Sequence, residues 1–174
     1  TRQSRETQSL ENIRRRQTTE RAEKLYEYFY CIAQQTPWQW KNEQINPDKE
    51  IGKIMEGNAC VQMFCPAFVR VAHFFARCSA ETNALITTLA VLRYKADKGQ
   101  LPEKLDELVS AGYLKTLPTD PFSGGPFVYK RIGDDFMLYS FGEDCDDDSG
   151  TRSKWGTGEK GGDQVFWPVE QKNK

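Results

Sequence analysis

Between positions 68 and 96 apolar side chains return at steps of three and four, as Phe68, Val71, Phe75, Cys78, Thr82, Leu85, Leu89, Leu92 and Ala96, with no proline or glycine between them. Such a repeat matches the 3.6 residues of an α-helical turn and gathers these positions on one side. The spacing predicts one amphipathic spine helix over 66–98, its apolar stripe packed against the rest of the fold. Gly99 suits the left-handed position just past the helix end.

Beyond the spine the chain is punctuated for a small sheet. Pro102 fits the start of a short helix over 102–111 with Leu105, Leu108 and Val109 inward, and Gly112 ends it. Turns at Leu117-Pro-Thr-Asp-Pro121 and Ser123-Gly-Gly-Pro126 lead to two predicted strands, 127–131 and 136–141, joined at Gly133-Asp134-Asp135. A lone hairpin is marginal in water, so a third strand is expected, and Gln164–Trp167 is the candidate. The fold class is therefore α+β: a long helix packed on a three-stranded antiparallel sheet spanning 127–168, together a domain over 66–174.

Residues 1–65 read as a helical N-terminal extension. Its first helix becomes amphipathic at Ala22, Leu25, Phe29 and Ile32, and Thr36-Pro37 breaks it. Asn46-Pro47-Asp48 then opens another helix with an N-cap residue, proline at the first position and an acid in the first turn, continued by Ile51, Ile54, Met55 and Val61. Trp38 and Trp40 suit core anchors, with a sugar-stacking platform as the alternative.

Charge narrows the partners. The 174 residues carry 24 basic and 25 acidic side chains, a net charge of −1, which gives no field for nucleic acid or an anionic membrane. No run approaches the ~20 apolar residues of a spanning helix, so membrane contact is expected only through a segment outside this chain. Of five cysteines, Cys60 and Cys65 form an isolated C-x4-C, weak for zinc, and free thiols are the expectation. The single His73 lies off the stripe and reads as a packed or surface side chain. One histidine, no nucleophile elbow and no phosphate-cradling glycine loop argue against the common hydrolase and nucleotide-binding plans. Convergent acids of a carboxylate hydrolase, Asp120 and Asp135 among them, are the remaining enzymatic alternative, although Asp120 between two prolines suits a backbone-capping turn.

The connection between Gly142 and Asp163 is too long to be idle. Asp144, Asp146 and Asp148 alternate along it, the pattern by which carboxylates converge on calcium at roughly 2.3–2.6 Å. It is no EF-hand, because Ser149 stands where that loop needs glycine and Trp155 where it needs the bidentate glutamate. The closing ligand must come from elsewhere.

Over about residues 85–168 the chain resembles the globular domain of the major pseudopilin of type II secretion, itself akin to type IV pilins. The matching pieces are a helix ending in Tyr94 and Gly99, Gly99-x-x-Pro102, Leu105-x-x-Leu108, Gly112-Tyr113, Leu117-Pro-x-Asp120-Pro121-Phe122, Tyr129, Tyr139-Ser-Phe-Gly142-x-Asp144 and Gly162-Asp163. The resemblance implies a non-enzymatic bacterial envelope module for assembly, through protein partners or self-association. It also implies a calcium ion held by the Phe141 carbonyl, Asp144 and Asp163, with Asp146 and Asp148 as further candidates from spacing alone. The family's apolar membrane helix has no counterpart here, and Cys145 replaces its glycine after the first aspartate. A calcium-dependent carbohydrate- or ligand-binding module is the runner-up.

Overall fold

The computed structural model describes residues 2–58, 62, 68–153 and 161–168, with side chains from Glu11 onward except those of 12 and 13. The C-x4-C pair, Val61, Pro66 and Trp155 lie outside them. Five helices are described: α1 (Arg2–Ala33), α2 (Pro37–Asn42), α3 (Pro47–Met55), α4 (Phe68–Lys98) and α5 (Asp106–Ser110). Three strands, β1 (Val128–Ile132), β2 (Asp135–Ser140) and β3 (Gln164–Trp167), form an antiparallel sheet with β2 in the centre. The architecture is α+β, as expected.

The local signals act as their chemistry dictates. Gly99 closes α4 at φ +75°, Asn46 caps α3 by accepting the Lys49 amide at 3.0 Å, and Gly133 at φ +61° starts the two-residue turn between paired Ile132 and Asp135. Thr36 does more than break a helix. It caps a helix the sequence did not announce, α2, through a reciprocal pair with Gln39. The expected short helix begins later than proline suggested, at Asp106.

The main core departs from the periodicity argument in one respect that matters. Long helix α4 does lie on the sheet, but through Ala80, Ala84, Ala90, Val91 and Tyr94, with Thr87 between them. These meet Leu101, Leu105, Leu108, Phe122, Phe127, Phe136 and Leu138. Small side chains on the helix let bulky ones from the sheet and loops fill the space. Thr87 is buried at no cost because its hydroxyl donates to the Asn83 carbonyl at 2.8 Å. The predicted inner stripe faces outward instead: Phe68, Val71, Phe75, Leu85 and Leu89 are 44–67% exposed. Thr82 and Ala96 are exposed too, and only Cys78 and Leu92 are half-buried. Periodicity reports that a face is apolar; it does not report what covers it.

A second, smaller cluster joins the N-terminal helices to the start of α4 through Leu25, Ile32, Trp40, Ile51 and Val69. Helix α2 also touches the main domain, where the Trp38 amide donates to the Pro121 carbonyl at 3.2 Å. Its indole lies on Gly124, where a Cβ would come within 2.6 Å of the ring.

Candidate functional site

Two features stand out on this scaffold: the neck of the acidic loop and the outer face of α4. In β2, Phe136 and Leu138 alternate inward as a half-buried strand requires, but Tyr139 and Ser140 are both buried. Ser140 follows Phe136 and Leu138 on the core face, where it meets Asp120, whereas Tyr139 points to the second face of the sheet and is covered there by the acidic loop. Tyr139 donates its hydroxyl to Asp147 at 2.9 Å, and Gly150 sits so close to Met137 that a Cβ would meet its sulfur at 2.5 Å.

Both ends of the loop meet. Ser140 pairs with Gln164, which sets Phe141 across from Asp163. The Asp163 amide donates to the Thr151 carbonyl at 2.6 Å, and the Ser153 amide to the Asp163 carbonyl at 2.9 Å. Two side chains then lock the neck reciprocally. Asp163 Oδ2 accepts the Gly150 amide at 2.6 Å, and Asp148 Oδ2 accepts the Gly162 amide at 2.7 Å. Asp163 is wholly buried, and its other oxygen, Oδ1, has no hydrogen-bond partner. Burial pushes its carboxyl above the usual carboxylate range, and the charges of Asp147 and Asp148 push the same way.

The expected ligands are thus divided. Asp148 and Asp163 share the neck, with Phe141 at its edge. Asp144 is half-buried on the flank near Gly161 and accepts the Asp146 amide at 3.2 Å. Asp146 points to Lys41 of α2, at 2.6 Å, whose ammonium also caps the Asp144 carbonyl at 2.8 Å. Among the described residues no three His, Cys, Asp or Glu side chains form a ready-made cage. Alternate spacing passes over Asp147 and selects its neighbours, although its place in the run of three aspartates is visible in the sequence. For a hard cation the fit is partial but specific: Asp163 offers a buried oxygen that nothing satisfies, beside a second carboxylate and the loop carbonyls.

Asp120 is the other buried acid among the described residues. Its Oδ1 accepts the Phe122 amide at 3.0 Å and the Ser140 hydroxyl at 2.8 Å, the backbone-capping role the turn suggested. Burial again outweighs these bonds and raises its pKa. Asp135 accepts the Trp167 indole N–H at 2.7 Å instead of approaching Asp120's site, and that bond lowers its pKa. Trp40 is buried and Trp38 half-buried, so neither forms an exposed platform. His73 packs edge-on to Trp40 at 5.4 Å, with burial lowering its pKa.

The outer face of α4 carries Phe68, Val71, Phe74, Phe75, Leu85, Ile86 and Leu89, each at least 43% exposed. Its first half borders a groove of about 370 Å³ walled on the other side by Phe29 and Ile32 of α1. Phe29 stacks on Phe68 at 4.1 Å there. Neither Asp120 nor Asp163 lines this groove. No helix among the described residues is long and apolar enough to cross a membrane. Comparisons with protein-family models, with curated proteins and with solved structures return no match for this chain.

Proposed function

We propose that this protein is a non-enzymatic assembly or protein-interaction module of the bacterial cell envelope, pseudopilin-like in its carboxy-terminal domain, with a loop that calcium stiffens. The observation that carries the reading is the outer face of α4. Seven large apolar side chains there, each at least 43% exposed, lie along one side of a single helix, and such a concentration of exposed apolar surface marks an interaction site. A helix face so costly to expose is a surface that works when covered. The two buried acids, by contrast, serve the turn and the loop neck.

In calcium's presence, Asp163 and Asp148 would hold the ion with loop carbonyls, Phe141's among the candidates, and the ion would supply the positive charge that buried Asp163 otherwise faces without. Asp144 and Asp146 reach it only if their present bonds to the Asp146 amide and to Lys41 give way. At ten times its dissociation constant the ion would add roughly 1.4 kcal/mol, enough to stiffen the loop while the apolar core folds the domain.

The test has two arms. In gently solubilised extracts of cells making the full protein, the chain should migrate in complexes larger than itself, and Phe75→Glu should release it. Wild type and variant migrating alike would refute the interaction reading. In purified protein, calcium should raise the melting temperature, and Asp148→Ala with Asp163→Ala should abolish the increment. An equal calcium response in the double variant would remove the metal from the proposal.

A further inference from the structure

The two halves of the outer face of α4 are unlike, and each has the shape the other lacks. Toward the amino end the face is a trough, with Phe68, Val71 and Phe75 on one side and Phe29 and Ile32 of α1 on the other. Toward the carboxy end Leu85, Ile86 and Leu89 stand out as a ridge, 43–58% exposed. Small residues, Cys78, Ser79 and Thr82, form the waist between them. The Thr82 hydroxyl already donates to its own helix at the Cys78 carbonyl, 2.8 Å away, so the waist needs no outside polar partner for it.

We propose that this face is the interface of a homodimer in which α4 of two copies pack antiparallel about a two-fold axis near Thr82. The inference deepens the interaction-module reading by naming the partner as a second copy. Antiparallel pairing about Thr82 sets Leu89 of one copy level with Phe75 of the other and Leu85 level with Ser79. Each ridge then enters the other copy's trough, and the contact is made twice. Parallel pairing would set ridge on ridge and leave both troughs empty.

The distribution of charge agrees with this choice. Around Thr82, from Phe75 to Leu89, the outer face bears no ionised side chain, because Arg77 and Glu81 lie roughly a quarter-turn or more around the helix; the first charge on the face itself is Arg93, beyond Leu89 and roughly three turns from the axis, beside Asp97. A two-fold axis places every group near it against its own kind, so a charge there would face a like charge; a different partner imposes no such condition.

Sedimentation of the purified full chain from about 0.1 to 100 µM covers the range expected of such an interface. A monomer–dimer equilibrium is the expected result. Leu89→Glu, at a position exposed in the monomer, should leave the circular dichroism unchanged and weaken the dimer on the order of 100-fold or more, since the substitution acts at two symmetric places. In a Cys31→Ser background, Thr82→Cys should oxidise to a covalent dimer linked at position 82, mapped by mass spectrometry. Cys78 should not link to itself, because one helical turn from the axis it lies about 12 Å from its mate, beyond the ~7 Å a disulfide spans.

A monomer at every concentration, a dimer indifferent to Leu89→Glu, or Cys78-linked dimers would each overturn the proposal. If the purified chain stays monomeric while Phe75→Glu still changes complex size in extracts, the homodimer falls and the interaction module stands. Loss of both effects removes both.

Discussion

Replacing Gly142 by alanine puts the loop neck under direct test. The structure imposes two separate penalties. Gly142 sits at φ +76°, where a Cβ costs roughly 1–2 kcal/mol. Its added carbon would also fall 2.6 Å from the Gly162 carbonyl oxygen, a backbone atom on the far side of the neck that cannot rotate away. Separating the strands to relieve it would lengthen the Gly162–Asp148 and Asp163–Thr151 bonds, so about another 1–2 kcal/mol is at stake. Gly133→Ala is the matched control, with φ +61° and no atom within 4 Å of the added Cβ. It should lose only the conformational part. For a chain of this length the total of about 2–4 kcal/mol corresponds to a fall of roughly 4–16 °C in melting temperature, against about 2–8 °C for the control. Denaturant unfolding with both slopes fitted gives the two differences. Equal losses in the two variants would mean that residues 142 and 162 do not meet, and the closed neck would be refuted with them.

Two further outcomes test other parts of the structure. Leu108→Ala, at a wholly buried position, should cost about 2–5 kcal/mol, whereas Leu85→Ala, 58% exposed, should stay within about 0.5 kcal/mol in dilute protein; comparable losses would restore the stripe to the core. The Asp163 carboxyl titrates above its unfolded value, so its contribution to stability is complete below the ordinary carboxylate range and is lost as pH rises through the folded pKa. In calcium-free buffer Asp163→Asn should therefore compare more favourably with wild type at about pH 7 than at about pH 4. A difference independent of pH would show that the burial of Asp163 is not expressed as a titration.

Much of the domain is legible in the order of its residues. The helix through positions 68 to 96 follows from its three-four repeat and its want of proline; Gly99, Asn46 and Gly133 act where their backbone chemistry demands; β3 lies at the expected residues. These are local properties, set within a few residues of chain. Aspartates 144, 146 and 148 are equally legible as residues, but not as a site, because Lys41 from a distant helix draws Asp146 aside and strand pairing alone brings Asp163 back to Asp148. That α4 is a helix with an apolar stripe is written in spacing and needs no neighbour to be true. Which side of that helix is buried is a matter of packing in three dimensions, and there alanines, threonine and valine, and not the stripe, lie against the sheet. The phenylalanines and leucines arriving from the sheet and its loops already fill the volume, and a helix can approach them closely only through its smaller side.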